Sequence, residues 1–291
     1  MNTRQTRSSL ISHLSSLVLA LFVLCCGGER AATTPDDLGR PVAVPPRVAR
    51  VITLAPNLTE LVYAIGAGGK VVGTDDFSNY PAAALRVAKV GGMQPNIEKI
   101  AALKPDLVIA STEGNHPNLA PALAAIGVPL FVVRTDRLSQ ITTAMLRVGE
   151  LLDAPDAKRA ADELQRAIDA QRRTRANAPR ILFAVWTDPL YVGGRETFVD
   201  DLLGLTGARN AVEVPAWPQY SLETLAATPP DLILYPRKSV NPRQLAALLV
   251  RAGGLRVPSQ GVDEDVFTRP GPRVGEAAAG LNTILDKVAG E

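Results

Sequence analysis

Short apolar runs alternate with longer amphipathic stretches from residue 47 to the end of the chain. Runs rich in Val, Ile and Leu predict buried strands at 51–54, 71–73, 107–110, 130–133, 181–185 and 232–235. Stretches with apolar positions at helical spacing, each closed by Gly or Pro, predict helices at 59–65, 97–103 and 199–205. This alternation is typical of an α/β fold with parallel strands.

One helix–turn–strand unit occurs twice. The segment 97–109 returns as 222–234, with Glu, Ala-Ala and Pro-Asp-Leu at a constant offset, and Asn96 and Ser221 precede the two copies as predicted helix caps. Pro-Asp before a strand is common, so chance similarity between two α/β units is the alternative. The repeat predicts two Rossmann-like lobes of similar architecture, 47–150 and 178–291.

The segment 155–177 predicts a long helix between the lobes. It has Pro155 in its first turn, no internal Gly or Pro, and Pro179 just beyond its end. At 1.5 Å per residue such a helix would be about 33 Å long. We therefore expect a stiff connection that allows small lobe movements.

The N-terminus has the layout of a secretory signal. Arg4 and Arg7 precede an apolar run at 17–26, which is short for a bilayer span, so we predict a signal peptide at 1–26. An uncleaved anchor is the alternative. Because the chain has no cysteine beyond Cys25 and Cys26, we predict lipidation at Cys26, with ordinary cleavage as the alternative. Residues 27–46 are polar and contain proline, which indicates a tether.

Composition excludes several classes of protein. The chain has 291 residues, 46% apolar and 21% charged, and a net charge of +2 that becomes neutral without Arg4 and Arg7. That size suggests two domains, and the neutral remainder lacks the basic footprint of a nucleic-acid binder. A remainder without cysteine builds neither a disulfide framework nor a zinc knuckle.

Ligands of open parallel sheets bind beyond the carboxyl ends of the strands. Trp186 and Trp217 both lie in predicted connections of the second half, where they could be flat contact surfaces or could cap the core. Asp265 and Arg269 have helical spacing, but Pro270 argues against a simple helical ion pair. We therefore interpret these four residues as ligand contacts.

Enzymatic motifs are missing from the sequence. The segment 66–70 lacks the earlier glycine and the following Ser or Thr of a phosphate loop, and there is neither a nucleophile elbow nor a zinc-protease helix. With His13 removed in the signal, His116 is the one remaining histidine, which is either solvated or an axial metal ligand. We expect no catalytic residue, no metal site and no cofactor apart from a transported ligand.

Several motifs carry a family resemblance. The chain resembles periplasmic substrate-binding proteins of iron-siderophore, haem and cobalamin ABC importers through DLGR at 37–40, RVITLAPNLTE at 50–60, KPDLV at 104–108 and the repeat. It is most similar to cobalamin-binding members through FSNYP at 77–81, WPQYSLE at 217–223 and DVFTRPGPR at 265–273. The resemblance implies two α/β lobes bridged by a helix, with ligand held between them.

The resemblance also implies site residues. Trp217, Asp265 and Arg269 would contact a corrinoid, with Phe77 at a position that is usually tyrosine, Met93 near another aromatic position and Ser111 in place of a tryptophan. Aromatic rings could cover the corrin face while Asp265 and Arg269 bind its amides and phosphate. Haem or a ferric siderophore is the alternative ligand. Haem would need a Tyr or His to bind its iron, and a ferric siderophore would need several Arg or Lys side chains. Residues in suitable loops for that alternative are Arg195, Arg237, Tyr191 and His116.

The resemblance implies a partner as well. In the family, one acidic residue per lobe docks onto arginines of the membrane permease. Glu98 and Glu223 occupy the matching positions in this sequence. The simpler interpretation is that each glutamate stabilises its own helix through the helix dipole. We expect a monomeric, non-enzymatic importer component in the periplasm that touches the membrane through an N-terminal lipid. The alternatives from other classes are an α/β metalloenzyme and a surface adhesion or sensor module.

Overall fold

The computed structural model describes residues 32–114 and 118–290. The predicted signal peptide, the predicted lipidation site Cys26 and His116 lie outside these residues. Within the described part of the chain, no helix is both long enough and apolar enough to cross a membrane.

The predicted tether contains a folded hairpin. Antiparallel strands β1 (Ala32–Pro35) and β2 (Pro41–Val44) are joined by a turn in which Asp37 accepts a hydrogen bond from the Arg134 N–H at 2.7 Å and also contacts the Arg147 guanidinium. Val42 and Val44 are buried. The tether prediction is therefore wrong for residues 32–44, because apolar side chains at every second position hold this polar, proline-containing segment against the first lobe.

The first lobe contains a five-stranded parallel sheet. Its strands are β3 (Val51–Thr53), β4 (Val71–Thr74), β5 (Ala88–Lys89), β6 (Leu107–Ser111) and β7 (Leu130–Val133), in the order β5-β4-β3-β6-β7. Helices α1 (Pro56–Ala64), α2 (Ile97–Leu103) and α3 (Leu119–Ala125) lie in the connections, with short 3-10 turns at Gly68–Lys70, Ala82–Arg86 and Thr112–Gly114. Every residue of β3, β6 and β7 is buried, as expected for a sheet covered on both faces.

The helix between the lobes is shorter than predicted. Helices α4 (Leu138–Leu151) and α5 (Ala157–Asp169) pack against each other. The predicted helix to residue 177 is wrong, and α5 spans about 20 Å at 1.5 Å per residue. The chain leaves the helix because Arg173 and Arg175 bind the end of a second-lobe helix: the Arg173 N–H donates to the Leu205 carbonyl at 2.9 Å and Arg175 Nε to the Thr206 carbonyl at 3.0 Å.

The second lobe repeats the parallel arrangement. Strands β8 (Arg180–Thr187), β10 (Arg209–Asn210), β11 (Leu232–Pro236) and β12 (Ser259–Val262) form a parallel sheet in the order β10-β8-β11-β12, and β9 (Leu190–Val192) pairs antiparallel with β8. Its helices are α6 (Phe198–Leu205), α7 (Leu222–Ala227), α8 (Pro242–Arg251), α9 (Glu264–Phe267) and α10 (Val274–Gly290). The predicted fold class, two α/β lobes with parallel sheets, is confirmed.

The internal repeat has the same hydrogen bonds in both lobes. Asn96 caps α2 by accepting from the Lys99 N–H at 2.9 Å, and Ser221 caps α7 by accepting from the Thr224 N–H at 3.0 Å, as predicted. After each helix, an aspartate carboxylate accepts a backbone N–H at the start of the central strand: Asp106 from Arg50 at 2.8 Å and Asp231 from Arg180 at 2.7 Å. The repeated helices are therefore fixed in equivalent ways.

One apolar core serves both lobes. A continuous buried cluster extends from Val42 and Phe131 in the first lobe, through Ile168 of α5, to Phe183 and Leu285 in the second. Smaller clusters cover the outer faces of the two sheets. The shared core limits how far the lobes can separate without exposing apolar surface to water.

The two aspartates of the repeat form a matched pair for a stability test. Asp106 accepts two backbone N–H groups, from Ala49 and Arg50, whereas Asp231 accepts one. At about 1 kcal/mol per hydrogen bond, we expect Asp106→Ala to lower the unfolding free energy by about 2 kcal/mol and Asp231→Ala by about 1 kcal/mol. Urea unfolding of both variants measures this, and equal losses would contradict it.

Candidate ligand-binding cleft

A cavity of about 510 Å³ lies at the carboxyl ends of the first-lobe strands. It faces the second-lobe segment that follows β12, so both lobes contribute walls. The first lobe supplies Leu54–Asn57, Asp75–Phe77, Asn79, Gly92, Met93, Pro95, Ala110, Ser111, Gly114 and Leu119, and the second lobe supplies Lys238, Glu264, Asp265 and Thr268–Pro270. This is the position that the sheet topology predicts for a ligand.

Two large apolar side chains of the cleft lining are exposed to solvent. Phe77 is 56% exposed and Met93 is 66% exposed. Gly92 lies beside Phe77, where a Cβ atom would come within 3.1 Å of the ring. The glycine thus allows the ring to lie against the backbone, and the pair of side chains offers an apolar surface to a ligand.

Arg269 joins the two lobes at the edge of the cleft. Its Nη1 donates to Glu60 Oε1 at 3.0 Å and Asn79 Oδ1 at 2.7 Å, both in the first lobe. Its Nη2 donates to the Phe77 carbonyl at 3.3 Å and to Asp265 Oδ1 at 2.9 Å. Asp265, in the short helix α9, and Arg269 form an ion pair at helical spacing, and this pair is part of a network that crosses between the lobes. Ligand contact by the two residues stays a prediction.

Glu60 is the buried centre of that network. It is 3% exposed and accepts two hydrogen bonds from Arg273, from Nε at 2.8 Å and from Nη2 at 2.7 Å. The Arg273 guanidinium also lies over the Tyr80 ring, 4.4 Å from its centre. Hydrogen bonding to Glu60 raises the pKa of Arg273 above its ordinary value.

Asp265 is held in its charged form. Burial acts to raise the pKa of its carboxyl, but hydrogen bonds from Lys238 and Asn79 and the positive charge of Arg269 outweigh burial, so the pKa lies below its ordinary value of 3.8. Lys238 Nζ lies 2.6 Å from Asp265 Oδ2 and Asn79 Nδ2 lies 2.9 Å from it.

Asp75 behaves in the opposite way. Burial raises the pKa of its carboxyl despite a hydrogen bond from Ser78, one from the Phe77 N–H, and the nearby charges of Lys89 and Arg269.

The carboxylates of the lining are Asp75, Asp76, Glu264 and Asp265, and its cations are Lys238 and Arg269. The cleft is therefore more acidic than basic.

The predicted tryptophans do not line this cavity. Trp186 belongs to β8, not to a loop, and is 50% exposed, with its Nε1 donating to the Asp188 carbonyl at 3.0 Å. Trp217 packs at the edge of the shared core, next to Gly193. The prediction that Trp186 lies in a loop was wrong, because β8 continues through this residue and pairs with β9. Ligand contact by either tryptophan stays a prediction.

Three of the residues named for an iron ligand, Arg195, Tyr191 and Arg237, lie outside the cleft lining. Arg195 lies in a separate groove of about 730 Å³ beside α5 and α6, where it pairs with Asp200 and Glu213. Tyr191 and Arg237 are not in the cleft lining. Among the described residues, no group of three or more His, Cys, Asp and Glu side chains is placed to hold a metal ion.

The sequence analysis did not identify Lys238 and Asn79 in the cleft lining, nor Glu60, which lies behind the lining and binds Arg269. Glu60 sits in a predicted helix, where a charged residue is expected to face water. Asn79 lies within the FSNYP motif, which was the one available signal for it. Glu98 and Glu223, by contrast, are exposed on the equivalent helices α2 and α7, as their repeat positions suggest.

Two parallel α/β lobes that share one cleft define a bilobal ligand-binding protein. A family model described as "Periplasmic binding protein" matches residues 51–249. The vitamin B12-binding protein of Yersinia pestis (strain Pestoides F) is 32% identical over 239 residues, covering 80% of this chain and 84% of that protein. The chain belongs to the periplasmic binding protein family.

Solved structures of similar proteins have the same fold. The periplasmic heme-binding protein RhuT from Roseiflexus sp. RS-1 is 26% identical, with a TM-score of 0.73 over 83% of this chain and 99% of that chain. The periplasmic vitamin B12-binding protein BtuF of Vibrio cholerae is also 26% identical, with a TM-score of 0.65 over 84% of this chain and 99% of that chain. The family and the expected fold are confirmed, and the function is that of a periplasmic substrate-binding protein.

The depressed pKa of Asp265 predicts an acid-dependent loss of stability. Its unfolded carboxyl takes up a proton before its folded carboxyl does, so its contribution is present above the ordinary carboxyl pKa of 3.8 and is lost as the pH falls below that value. We expect the unfolding free energy of the wild type to fall more over this range than that of Asp265→Asn. Urea unfolding at a series of pH values checks this. The pKa of Asp36 is also lowered, but this residue is present in both proteins and affects their stabilities equally. If the unfolding free energies of the two proteins fall in parallel with pH, Asp265 is not the source of the acid-dependent loss.

Proposed function

We propose that this protein binds cobalamin or a related corrinoid in the cleft between its lobes and delivers it to the permease of an ABC importer, without catalysing a reaction. The single observation that carries the choice of ligand is the make-up of the cleft lining. It combines the apolar Phe77 and Met93 with four carboxylates and two cations, Lys238 and Arg269.

This lining suits a corrinoid better than haem. A corrin has a broad apolar face with an amide fringe and little net charge, so Phe77 and Met93 can cover the face while Asp265 and Arg269 bind polar groups at the edge. Haem carries propionate carboxylates, which the acidic lining would repel. Among the described residues of the lining, none is a tyrosine or a histidine, the usual protein ligands of a carrier-bound haem iron. The relatives named as vitamin B12-binding proteins support the same choice.

Haem is the second candidate ligand. Two solved structures titled as periplasmic heme-binding proteins, RhuT and BhuT, match this fold with TM-scores of 0.73 and 0.72. Met93 places a thioether, an axial ligand in some haem proteins, at the cleft surface. A ferric siderophore has less support, because Lys238 and Arg269 are the lining cations and both already pair with Asp265.

Titration of the purified mature protein distinguishes the two ligands. We expect cyanocobalamin, followed by calorimetry or visible absorbance, to bind with a 1:1 stoichiometry and haemin to bind at least about tenfold more weakly. Phe77→Ala and Met93→Ala should each weaken cyanocobalamin binding about tenfold, since each removes apolar contact area. Parallel Trp186→Ala and Trp217→Ala titrations test whether the tryptophans contact the ligand.

A control variant keeps this test specific. Val250 is exposed on α8, outside the cleft lining, so Val250→Ser should leave the affinity unchanged. Tight binding of haemin without binding of cyanocobalamin would replace the corrinoid with the second candidate, and chemical conversion of either compound would contradict a pure binding function.

We propose that Glu98 and Glu223 are the docking contacts for the permease. Both are exposed, and each follows a matching helix cap in one lobe, so they offer a two-point contact with basic residues of a partner. The predicted export signal and lipidation at Cys26 would place this surface next to the membrane.

Charge reversal tests the docking contacts. Glu98→Lys combined with Glu223→Lys should abolish cobalamin uptake by cells while leaving the affinity of the purified protein unchanged. Glu150→Lys, which reverses an exposed charge on α4, is the matched control and should support normal uptake. Normal uptake by the double variant would refute the assignment.

A further inference from the structure

We propose that Glu60 is a positioning residue for ligand binding: a buried first-lobe carboxylate that orients Arg269 and Arg273 of the second lobe and so builds one wall of the cleft. The proposal rests on the proposed function for its ligand readout. It makes Glu60 responsible for the shape of the binding wall, although Glu60 does not itself line the cavity.

The surroundings of Glu60 require partners from the other lobe. Its side chain is 2% exposed, and a carboxylate removed from water in this way is stable in its charged form only beside cations that also hydrogen-bond to it. Both cations, Arg269 and Arg273, come from the segment between α9 and α10, and together they donate three hydrogen bonds to its two oxygens. The charge on α1 therefore specifies where this second-lobe segment must lie.

Glu60 also sets the orientation of the Arg269 guanidinium. One nitrogen, Nη1, points at Glu60 and Asn79, and this leaves Nη2 directed at the Phe77 carbonyl and Asp265. Without the negative charge between them, the two guanidinium groups of Arg269 and Arg273 would repel each other. The Arg269 guanidinium would then lose its fixed plane at the cleft.

The backbone next to Arg269 is seated on the same helix. Asn57 Nδ2 donates to the Pro270 carbonyl at 3.1 Å and to Thr135 Oγ1 at 3.0 Å. A Cβ atom at Gly271 would lie 3.3 Å from the Asn57 Cβ, so the segment fits closely on the start of α1. Asn57 binds the backbone of this segment at Pro270, and Glu60 binds the side chains of Arg269 and Arg273. The segment is therefore fixed as one wall of the cavity.

A second ion pair between the lobes supplies a matched control. Arg137, just before α4, contacts both carboxylate oxygens of Asp201 on α6, with Nε at 2.8 Å from Oδ2, and the Leu138 N–H donates to the same oxygen at 3.0 Å. This pair lines the separate groove and not the cleft. Its removal should affect the joining of the lobes without changing the binding wall.

The experiment compares Glu60→Gln with Asp201→Asn. We expect both variants to unfold at lower urea concentration than the wild type, but only Glu60→Gln to weaken cyanocobalamin binding, by about tenfold or more. Arg269→Gln should weaken binding as well, and the double variant Glu60→Gln/Arg269→Gln should bind no more weakly than Arg269→Gln alone, because Glu60 acts through Arg269.

A ligand-free measurement separates this proposal from the proposed function. In the NMR spectrum of the unliganded protein, the Nε–H signal of Arg273, which donates to Glu60 and is assigned by Arg273→Lys, should be protected from exchange in the wild type and in Asp201→Asn, and should lose protection in Glu60→Gln. If Glu60→Gln does not fold, Glu60→Asp, which keeps the charge but shortens the side chain, should show reduced protection and intermediate affinity.

Two results would overturn the role of Glu60. One is additive losses of affinity in the double variant, which would mean that Glu60 does not act through Arg269. The other is unchanged Nε–H protection in Glu60→Gln. If the wild type binds no cyanocobalamin while the Arg273 Nε–H signal responds as expected, the proposed ligand fails and the positioning role of Glu60 stands.

Discussion

A buried carboxylate needs cations close by to stabilise its charge, and both cations that pair with Glu60, Arg269 and Arg273, belong to the other lobe. This requirement ties the segment that carries Asp265, Arg269 and Arg273 to the start of α1. Because Arg269 also binds Asn79 and the Phe77 carbonyl, the same contact fixes the loop that carries the exposed aromatic ring. The cleft wall is therefore assembled by electrostatics across the lobe boundary, while the shared apolar core limits how far the lobes can separate.

The repeated unit explains how one architecture can serve two lobes with different tasks. In both copies an amide or hydroxyl side chain caps the helix, and an aspartate ties the end of the unit to the central strand. These contacts use local geometry, so they hold Glu98 and Glu223 in equivalent settings regardless of what the rest of each lobe does. The residues at the carboxyl ends of the strands have diverged: the first lobe supplies the apolar floor of the cleft, and the second lobe supplies most of its charged wall.

Charge balance in the cleft is the feature on which the proposed choice of a corrinoid over haem depends. The cleft contains one carboxyl whose pKa is raised by burial, Asp75, and one whose pKa is lowered by its partners, Asp265. Asp265 is neutralised by Lys238 and Arg269 and can offer a polar edge without a net field. Neither Asp76 nor Glu264 forms an ion pair among the described residues, although the charge of Lys89 acts on Asp76 from outside the lining. An anionic ligand would meet their field, whereas a ligand with an amide fringe would meet donors and acceptors that are already oriented.

Features that depend on local spacing could be predicted from the order of the amino acids. The apolar runs marked the strands, the helix Ile97–Leu103 and the two caps followed from short-range patterns, and the repeat indicated two lobes. Features that depend on contacts between distant segments could not be predicted in this way. The hairpin at 32–44 folds because Val42 and Val44 reach the core, α5 ends early because Arg173 and Arg175 bind second-lobe carbonyls, and Glu60 is buried because two arginines from beyond residue 265 cover it. Local patterns carry no information on which distant side chain will supply a partner, and that is where sequence reasoning stopped.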